Sequence, residues 1–317
     1  MLSTNRPLTA DPVVASMAVK DWLEQSAVRL GSGPTRQVYQ EVMADLWQLR
    51  SLLSEERWRA FIVQARAHRL AQLVWEDPFL DHARRRPRGY PGDAALLDWI
   101  YETSKHPQAP APGSVGGQIY RGSMNSMACC AVRWRRDLLA ARLASMGASG
   151  KVLSLAAGHL REARLVRQMG RDLPQIDALD QDPLSLAEIK RSLVGEPVST
   201  HHAGVCALLK RTWAPERGSY DLVYAAGLYD YLSDEIAAAL SARLVERVRV
   251  GGAVLVANFL PLVSGVGHME CFMDWFLTFR THEQLENTFA ALGDQVTLRS
   301  FTDPFHNVVY TEATRLR

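Results

Sequence analysis

The residues with the clearest chemical signal are a small-residue turn and an acid about 20 residues further along the chain. In the stretch "KVLSLAAGHLREARLV", residues 151–166, a run of apolar residues gives way to a helical pattern at Ala156, Ala157 and Gly158. Small residues at such a break let a ligand approach the backbone. Asp180 ends the next apolar run, "QIDALD", at the spacing from which an acid binds both hydroxyls of a ribose. The two features together predict a site for a ribose-containing ligand.

The turn lacks the remainder of a dinucleotide fingerprint. The full G-x-G-x-x-G pattern is absent, and the bulky residues His159 and Leu160 follow Gly158. A pyrophosphate bound at a helix N-terminus therefore has little support. A turn with a ribose acid and no phosphate cradle favours a nucleoside, and S-adenosylmethionine is the common ligand of that kind. The alternative is that Asp180 and Asp182 are loop acids in a "DQDP" turn.

Aromatic rings are the side chains expected around a sulfonium cation, because each ring face attracts such a cation by about 0.5–2 kcal/mol. The candidates are Tyr229, Tyr231, Phe259, Tyr90, Trp99, Tyr101 and Tyr120. Most aromatic residues at helical spacing pack in a core, but Tyr90 lies in "RGYPGD", which is a turn. Arg88 in the same turn supplies a fork suited to a carboxylate. Asn125 is a polar residue among small ones and is a candidate contact for the ligand's amino-acid end; an exposed helix residue is the alternative.

No acid–base pair stands out from the sequence. The nine histidines are scattered, no pair has metal-ligand spacing, and there is no nucleophile elbow. Displacement at a sulfonium carbon depends mainly on alignment, which can supply about 7–11 kcal/mol. Two chemistries are therefore open: methyl transfer to an acceptor, or attack by the ligand's own α-amino group on its γ-carbon.

These residues need elements that position them. Residues from about 11 to 82 are predicted to be helical, with Ser54 as an N-cap, and a long helix is predicted from about 120 to 146. After Gly150, short β-rich runs alternate with helical patterns, which is typical of a doubly wound, mostly parallel sheet. The last stretch, "TLRSFTDPFHNVVYTEAT", predicts a hairpin on the edge of that sheet.

Composition sets the class of protein. The chain has 317 residues, of which 47% are hydrophobic and 22% charged, as in ordinary globular proteins. A net charge of +2 favours neither nucleic acid nor a membrane surface as partner, so a small-molecule substrate is expected. The four cysteines fit neither a disulfide framework nor a zinc site. Without a signal-peptide pattern or an apolar run long enough to span a membrane, we expect a cytoplasmic protein; the sequence indicates no oligomeric state.

From Lys151 to about Ala257 the chain resembles the class I S-adenosylmethionine-dependent methyltransferases. The motifs that carry the resemblance are, in order, "LSLAAG", Asp180 with Gln181, "HAGV" with Gly204 and Val205, "LVYAAGLYDYL" with Ala226, and "VRVGGAVLVANF". The resemblance implies a seven-stranded sheet. It also implies that "LSLAAG" lines the methionine part of the ligand, that Asp180 binds the ribose and that "HAGV" reads the adenine edge. "LVYAAGLYDYL" would then face the reactive centre, and "VRVGGAVLVANF" would form the fifth strand. Val250 stands where proline is usual.

A narrower resemblance is to bacterial azetidine-2-carboxylate synthases and the related 3-hydroxy fatty-acid methyl ester synthases. It rests on "RPRGYPGD", "AAGHLREA", "AAGLYDYL", "ANFLP" and "GHMECFMDWFLTFR". It implies a closed pocket in which Tyr229, Tyr90 and Asn125 are the candidate catalytic residues. The hypothesis is a helical cap, residues 1–117, and an α/β domain, residues 118–317, that cyclise S-adenosylmethionine to azetidine-2-carboxylate and methylthioadenosine. The alternatives are a small-molecule methyltransferase, acting on a carboxylate or hydroxyl, and a binding protein without turnover.

Overall fold

The computed structural model describes residues 12–213, 217–261 and 263–317. Its helices are α1 (Pro12–Ser32), α2 (Thr35–Leu52), α3 (Glu55–Ala67), α4 (Arg69–Val74), α5 (Pro78–Arg85), α6 (Ala94–Glu102), α7 (Val115–Met124), α8 (Met127–Met146), α9 (Arg161–Gln168), α10 (Pro183–Ser192), α11 (Val205–Leu209), α12 (Asp234–Val245), α13 (Val266–Phe272) and α14 (His282–Glu286). Its strands are β1 (Lys151–Leu155), β2 (Gln175–Asp180), β3 (Val198–His202), β4 (Tyr220–Ala225), β5 (Val248–Phe259), β6 (Val296–Thr302) and β7 (Val308–Arg315).

The chain divides into two compact units, and neither is a single stretch of sequence. We call Met1–Gly92, Asp98–Ser126 and Ser264–Phe276 the helical unit, and Asp93–Leu97, Met127–Val263 and Leu277–Arg317 the sheet unit. The division predicted from sequence was one cut after residue 117. The compact units instead exchange short segments, so the helical unit includes a piece of chain from beyond the fifth strand.

The helical unit follows the predicted pattern in its early helices. The predicted N-cap Ser54 is confirmed, since its side chain accepts the Arg57 N–H at 3.4 Å. The long helix predicted from 120 to 146 is wrong in one respect, because it is interrupted between α7 and α8. Asn125 ends α7 with φ −90° and ψ 2°, in a run of small and polar residues of low helix propensity.

The sheet unit has seven strands in the order β3-β2-β1-β4-β5-β7-β6. The strands β1 to β5 are parallel, and β7 runs antiparallel to both β5 and β6. The predicted mostly parallel, doubly wound sheet with a terminal hairpin is therefore confirmed. Its seven strands agree with the number that the sequence resemblance implied.

Strand order places a crevice at the carboxyl ends of β1 and β4. β1 lies between β2 and β4, so the connections that leave its two neighbours run in opposite directions. One sheet face packs Leu153, Leu155 and Val223 against apolar residues of α12, including Leu240 and Leu244. This buried layer holds the strand ends in fixed positions. Within the three described ranges, no helix is both long and apolar enough to cross a membrane.

Candidate functional site

The turn after β1 contains left-handed backbone, a conformation that glycine adopts at the least cost. Ala156 has φ 53° and Gly158 has φ 56°, both in the left-handed region. The Ala157 N–H donates to the Leu179 carbonyl at 3.1 Å, which ties the turn to β2. A Cβ at Gly158 would lie 3.2 Å from the Cβ of Ala94, at the start of α6. A side chain at position 158 would therefore be strained by the left-handed backbone and would require Ala94 to shift by a few tenths of an ångström.

Asp180, the last residue of β2, points its carboxylate at this turn. Oδ2 accepts the Gly158 N–H at 2.8 Å, and Oδ1 accepts the Asp182 N–H at 2.8 Å. Burial raises the pKa of Asp180 above its ordinary value, although the two N–H donors favour the charged form. A carboxylate has about four acceptor positions, so each oxygen retains capacity for a further donor. The side chain is thus held in one orientation with acceptor capacity left for a ligand.

The other residues of the sheet unit that were predicted to bind the cofactor also follow strand ends. Gln181 is exposed after β2, and a Cβ at Gly204 would lie 3.3 Å from its Oε1. Gly204 is the N-cap of α11, and half-buried Val205 begins that helix. Ala226, also half-buried, is the first residue after β4. Parallel pairing of β1 to β4 brings all of these positions, with Ala156 to Gly158 and Asp180, to one edge of the sheet.

Two polar residues beside the turn were not predicted as site residues. Glu162, in the first turn of α9, is buried and accepts the Tyr224 hydroxyl at 2.7 Å; burial raises the pKa of this carboxyl group. Arg135 of α8 is also buried, and its charge lowers the pKa of Glu162. A Cβ at Gly227, just beyond β4, would lie 3.6 Å from the guanidinium of Arg135. "AAGHLREA" contained Glu162, but no spacing rule distinguished it from a surface helix acid.

The loop after β4 is held by a buried arginine that sequence reasoning also missed. Arg280, 1% exposed, donates to the main-chain oxygens of Tyr229 and Leu232 at 2.7 and 2.6 Å. It also donates to Asn258 Oδ1 at 2.8 Å and to Asp234 Oδ1 at 2.9 Å. Sequence gave no signal, because an arginine in "LTFRTHEQ" resembles an ordinary surface residue. Its effect is to fix the loop that follows β4 against β5.

Tyr229, predicted to contact the sulfonium, is a core residue in the structure. It is fully buried, belongs to the apolar cluster that contains Leu240 and Val256, and its hydroxyl lies 2.8 Å from Ser241 Oγ. Its ring therefore packs against α12 and the sheet. Burial also raises the pKa of the Tyr229 hydroxyl far above its ordinary value, so the phenol stays protonated at neutral pH.

The remaining predicted site residues belong to the helical unit, where they differ in burial and in their contacts. Tyr120 is packed in the core; its hydroxyl donates to the Thr103 carbonyl at 2.7 Å, and its ring meets Trp99 edge-on. Arg88 and Tyr90 are half-buried in the turn after α5, and each has an interaction partner. Asn125 is exposed where α7 ends. The predicted catalytic trio is thus divided between the two units.

Metal chemistry has no candidate in the part of the chain that the structure describes. No group of three His, Cys, Asp or Glu side chains there is arranged to hold an ion. The site at the strand ends is therefore a buried acid, small-residue turns and neighbouring charged groups. Such a set can bind and orient a nucleoside.

Comparison with known proteins gives likeness of structure only. No protein-family model and no curated protein matches the chain. A possible exported protein from Bordetella parapertussis is similar over 99% of this chain and 100% of its own, with 16% identity and a TM-score of 0.59. The 1,6-didemethyltoxoflavin-N1-methyltransferase of Burkholderia thailandensis is similar over 58% of this chain and 79% of its own, with 16% identity and a TM-score of 0.43. The DhpI–SAH complex is similar over 77% of this chain and 97% of its own, with 20% identity and a TM-score of 0.45. At such identities the full-length match shows a shared fold and nothing about activity.

Proposed function

We propose that this protein binds S-adenosylmethionine at the carboxyl edge of its sheet and consumes it as a substrate. The observation that carries the proposal is the carboxylate of Asp180, held by the Gly158 and Asp182 N–H groups at 2.8 Å each. A fixed acid at the end of β2, beside a small-residue turn after β1, is suited to the two hydroxyls of a ribose. Gln181 and Gly204 follow the adjoining strand ends, where an adenine would lie.

A nucleoside suits the turn better than a dinucleotide. His159 and Leu160 are buried in the protein, so their side chains occupy the start of α9. Leu160, with φ 50°, is the N-cap of α9. The N-terminus of α9 therefore lacks the glycines that a pyrophosphate needs. Both features support a ligand without phosphates.

For the reaction we propose cyclisation to azetidine-2-carboxylate with release of methylthioadenosine. The support is the sequence resemblance of "AAGHLREA", "AAGLYDYL" and "GHMECFMDWFLTFR". In this step the neutral α-amino nitrogen forms a bond to the γ-carbon, the carbon–sulfur bond breaks, and its electron pair stays on sulfur. The amine loses one proton to a base. The protein's contribution is to hold the amino-acid chain folded for internal attack.

Methyl transfer to a small-molecule acceptor is the second candidate, because the methyltransferase fold of the sheet unit serves that reaction equally well. The two candidates share the nucleoside site and differ in what attacks which carbon. A product analysis therefore separates them.

Binding is the first test. Titration calorimetry of the full chain with S-adenosylmethionine should register binding, and Asp180→Ala should weaken it about 10- to 100-fold. Loss of charge-assisted hydrogen bonds at about 1.5–3 kcal/mol each is the reason. Asp177→Asn is the matched control: it lies on the same strand, but its carboxylate contacts the His201 ring at 2.8 Å and the Tyr220 hydroxyl at 2.7 Å. Equal affinity for Asp180→Ala and wild type would remove the ribose assignment.

Turnover is the second test. The purified protein is incubated with S-adenosylmethionine alone, and the products are identified by mass spectrometry. Methylthioadenosine with a cyclic amino acid supports cyclisation. If S-adenosylhomocysteine forms only with an added acceptor, the result supports methyl transfer instead. Binding without any product supports a binding protein without turnover.

A further inference from the structure

The loop after β4 has an open part and a buried part. At its start, Ala226 is half-buried and Gly227 is exposed. Two residues further on, the chain enters the 3₁₀ turn Tyr229–Tyr231, in which Tyr229 and Asp230 are buried. Because the two parts are so close in the chain, whatever holds the buried turn also positions the open residues.

Strand register places the open part of this loop beside the turn after β1. β1 and β4 pair in parallel, with Ser154 opposite Tyr224. Continued for two residues, the same register sets Ala226 next to Ala156. This is the switch point of strand order, where open α/β sheets bind their ligands. We therefore expect the open residues to line the proposed S-adenosylmethionine site.

The guanidinium of Arg280 joins both ends of the buried turn to β5. Nη1 donates to the Tyr229 carbonyl at 2.7 Å, and Nη2 donates to the Leu232 carbonyl at 2.6 Å, so the two bonds bracket the turn. Nη1 also donates to Oδ1 of Asn258 in β5 at 2.8 Å. On the side of α12, Nε donates to Asp234 Oδ1 at 2.9 Å. One buried side chain therefore fixes the turn against two neighbouring elements.

The main chain around Arg280 strengthens the same attachment. The Arg280 N–H donates to the Phe259 carbonyl at 3.1 Å, and the Thr278 N–H donates to the Asp230 carbonyl at 2.8 Å. The Phe259 N–H in turn donates to Asp230 Oδ1 at 2.7 Å. The arginine side chain cannot be replaced by lysine here, because a lysine has its three donors on one atom and does not reproduce a planar fork.

We propose that Arg280 is a positioning residue: by fixing the 3₁₀ turn, it holds Ala226 and Gly227 against the reacting end of bound S-adenosylmethionine. The inference rests on the proposed function. It applies to cyclisation and to methyl transfer alike, because both displacements at a sulfonium carbon need an aligned nucleophile. A misplacement of about 1 Å can cost about 100-fold in rate. The nucleoside is held separately by Asp180 at the end of β2, so its affinity should not depend on Arg280.

The test compares Arg280→Lys with wild type by titration calorimetry and by turnover of S-adenosylmethionine. We expect kcat per binding site to fall about 100-fold while the Kd stays within about threefold. The calorimetric stoichiometry counts folded chains, so a purely structural role would lower the number of sites and leave the rate per site unchanged. Arg247→Lys is the matched control. Arg247 is also a buried arginine of the sheet unit, 4% exposed, but it precedes β5 at the opposite edge of the sheet and should leave the rate per site unchanged.

A second pair of variants tests the same attachment from the surface. The side chain of Asp234 is 81% exposed and lies 2.8 Å from Nη2 of Arg280, whereas Glu235, also exposed in the first turn of α12, hydrogen-bonds to Ser233. Asp234→Ala should lower kcat about two- to fivefold, which is the equivalent of one exposed ion pair. Glu235→Ala removes the same charge from the same helix end and should leave kcat unchanged.

The outcomes separate this inference from the proposed function. If wild type and Arg280→Lys turn over at the same rate per binding site, Arg280 is not a positioning residue, and the proposed function stands. Should Arg280→Lys not fold, equal kcat values for Asp234→Ala and Glu235→Ala overturn the inference instead. If wild type neither binds nor consumes S-adenosylmethionine, the proposed function itself fails, and the positioning role fails with it.

Discussion

At the scale of single residues, Tyr229 shows how a motif position is used for packing. Its ring is fully buried among apolar residues, and its hydroxyl contacts Ser241. We expect Tyr229→Ala to lower the free energy of unfolding by about 3–5 kcal/mol, because it opens a cavity and leaves Ser241 with a lost partner. Urea denaturation measures this loss. Tyr231→Ala, at a position 41% exposed, is the control and should change stability by less than about 1 kcal/mol; similar losses in the two variants would contradict the core assignment.

Asp77 is a second residue whose burial has a measurable consequence. It is fully buried in the helical unit, where its carboxyl group accepts the Phe79 N–H and the Ser123 hydroxyl at 2.9 Å each. The Ser123 oxygen continues to Tyr39 and then to His268 Nε2, at 3.0 and 2.8 Å. Burial raises the pKa of Asp77 from 3.8 to about 7. The folded state therefore keeps a proton that the unfolded chain releases.

This pKa predicts a pH-dependent stability. Between about pH 4 and pH 7 the unfolded chain binds fewer protons at this site than the native state, so stability falls as pH rises and is level above about pH 7. Asp77→Asn, which retains an acceptor for the Phe79 N–H, removes that slope. We expect the variant to gain about 2 kcal/mol relative to wild type between pH 5 and pH 8, measured by urea denaturation. Parallel stability curves for the two proteins would show that Asp77 is ionised throughout.

The site residues that sequence could predict are those that a fold constrains locally. Asp180 was predictable because the length of a strand–helix–strand unit sets its distance from Gly158. Arg280 and Glu162 were not, because their importance comes from partners distant in sequence, such as Tyr229 and Tyr224. Aromatic residues gave less information, because a tyrosine is equally common in a core and beside a ligand. The structure buries both Tyr229 and Tyr120.

At the scale of elements, α13 shows what periodicity does not reveal. All seven of its residues are buried, and it belongs to the helical unit although it follows β5 in the chain. The alternation of strands and helices was correctly predicted from sequence, because each element has its own apolar period. The partner that buries a helix is a tertiary property, so the place of α13 was not predictable. The interruption between α7 and α8 was missed for the related reason that a strong local pattern continued across it.

The close packing of α13 on α2 predicts a sharp difference between two neighbouring glycines. A Cβ at Gly267 would lie 2.3 Å from the Leu46 carbonyl oxygen, whereas a Cβ at Gly265 meets nothing within 4 Å. Gly267→Ala should therefore destabilise the protein by at least about 1–3 kcal/mol, since backbone must move to admit the methyl group. Gly265→Ala, at φ −91°, should be close to neutral. Thermal denaturation of the two variants measures the contrast, and equal melting temperatures would mean that α13 is not packed this closely.

At the scale of the whole molecule, the two units are linked by a chain that passes between them repeatedly. The helical unit includes residues 264–276 from beyond β5, and the sheet unit includes residues 93–97, which are Asp93 and the first four residues of α6. Within the helical unit, Trp58 Nε1 donates to Glu270 at 2.6 Å and Arg66 donates to the Cys271 carbonyl at 2.6 Å. A fragment that begins at residue 127 keeps α13 but loses every one of these partners.

This interleaving predicts how fragments behave. Fragment 127–317 should bind a hydrophobic dye such as ANS and aggregate, because the buried face of α13 and the carboxylate of Glu270 lose the residues that cover them. The same fragment with residues 264–276 replaced by a Gly/Ser linker should bind less dye and remain monodisperse while it retains the circular dichroism of the sheet. Scattering and dye fluorescence compare the two. If both fragments behave alike, residues 264–276 are not what exposes apolar surface in the fragment.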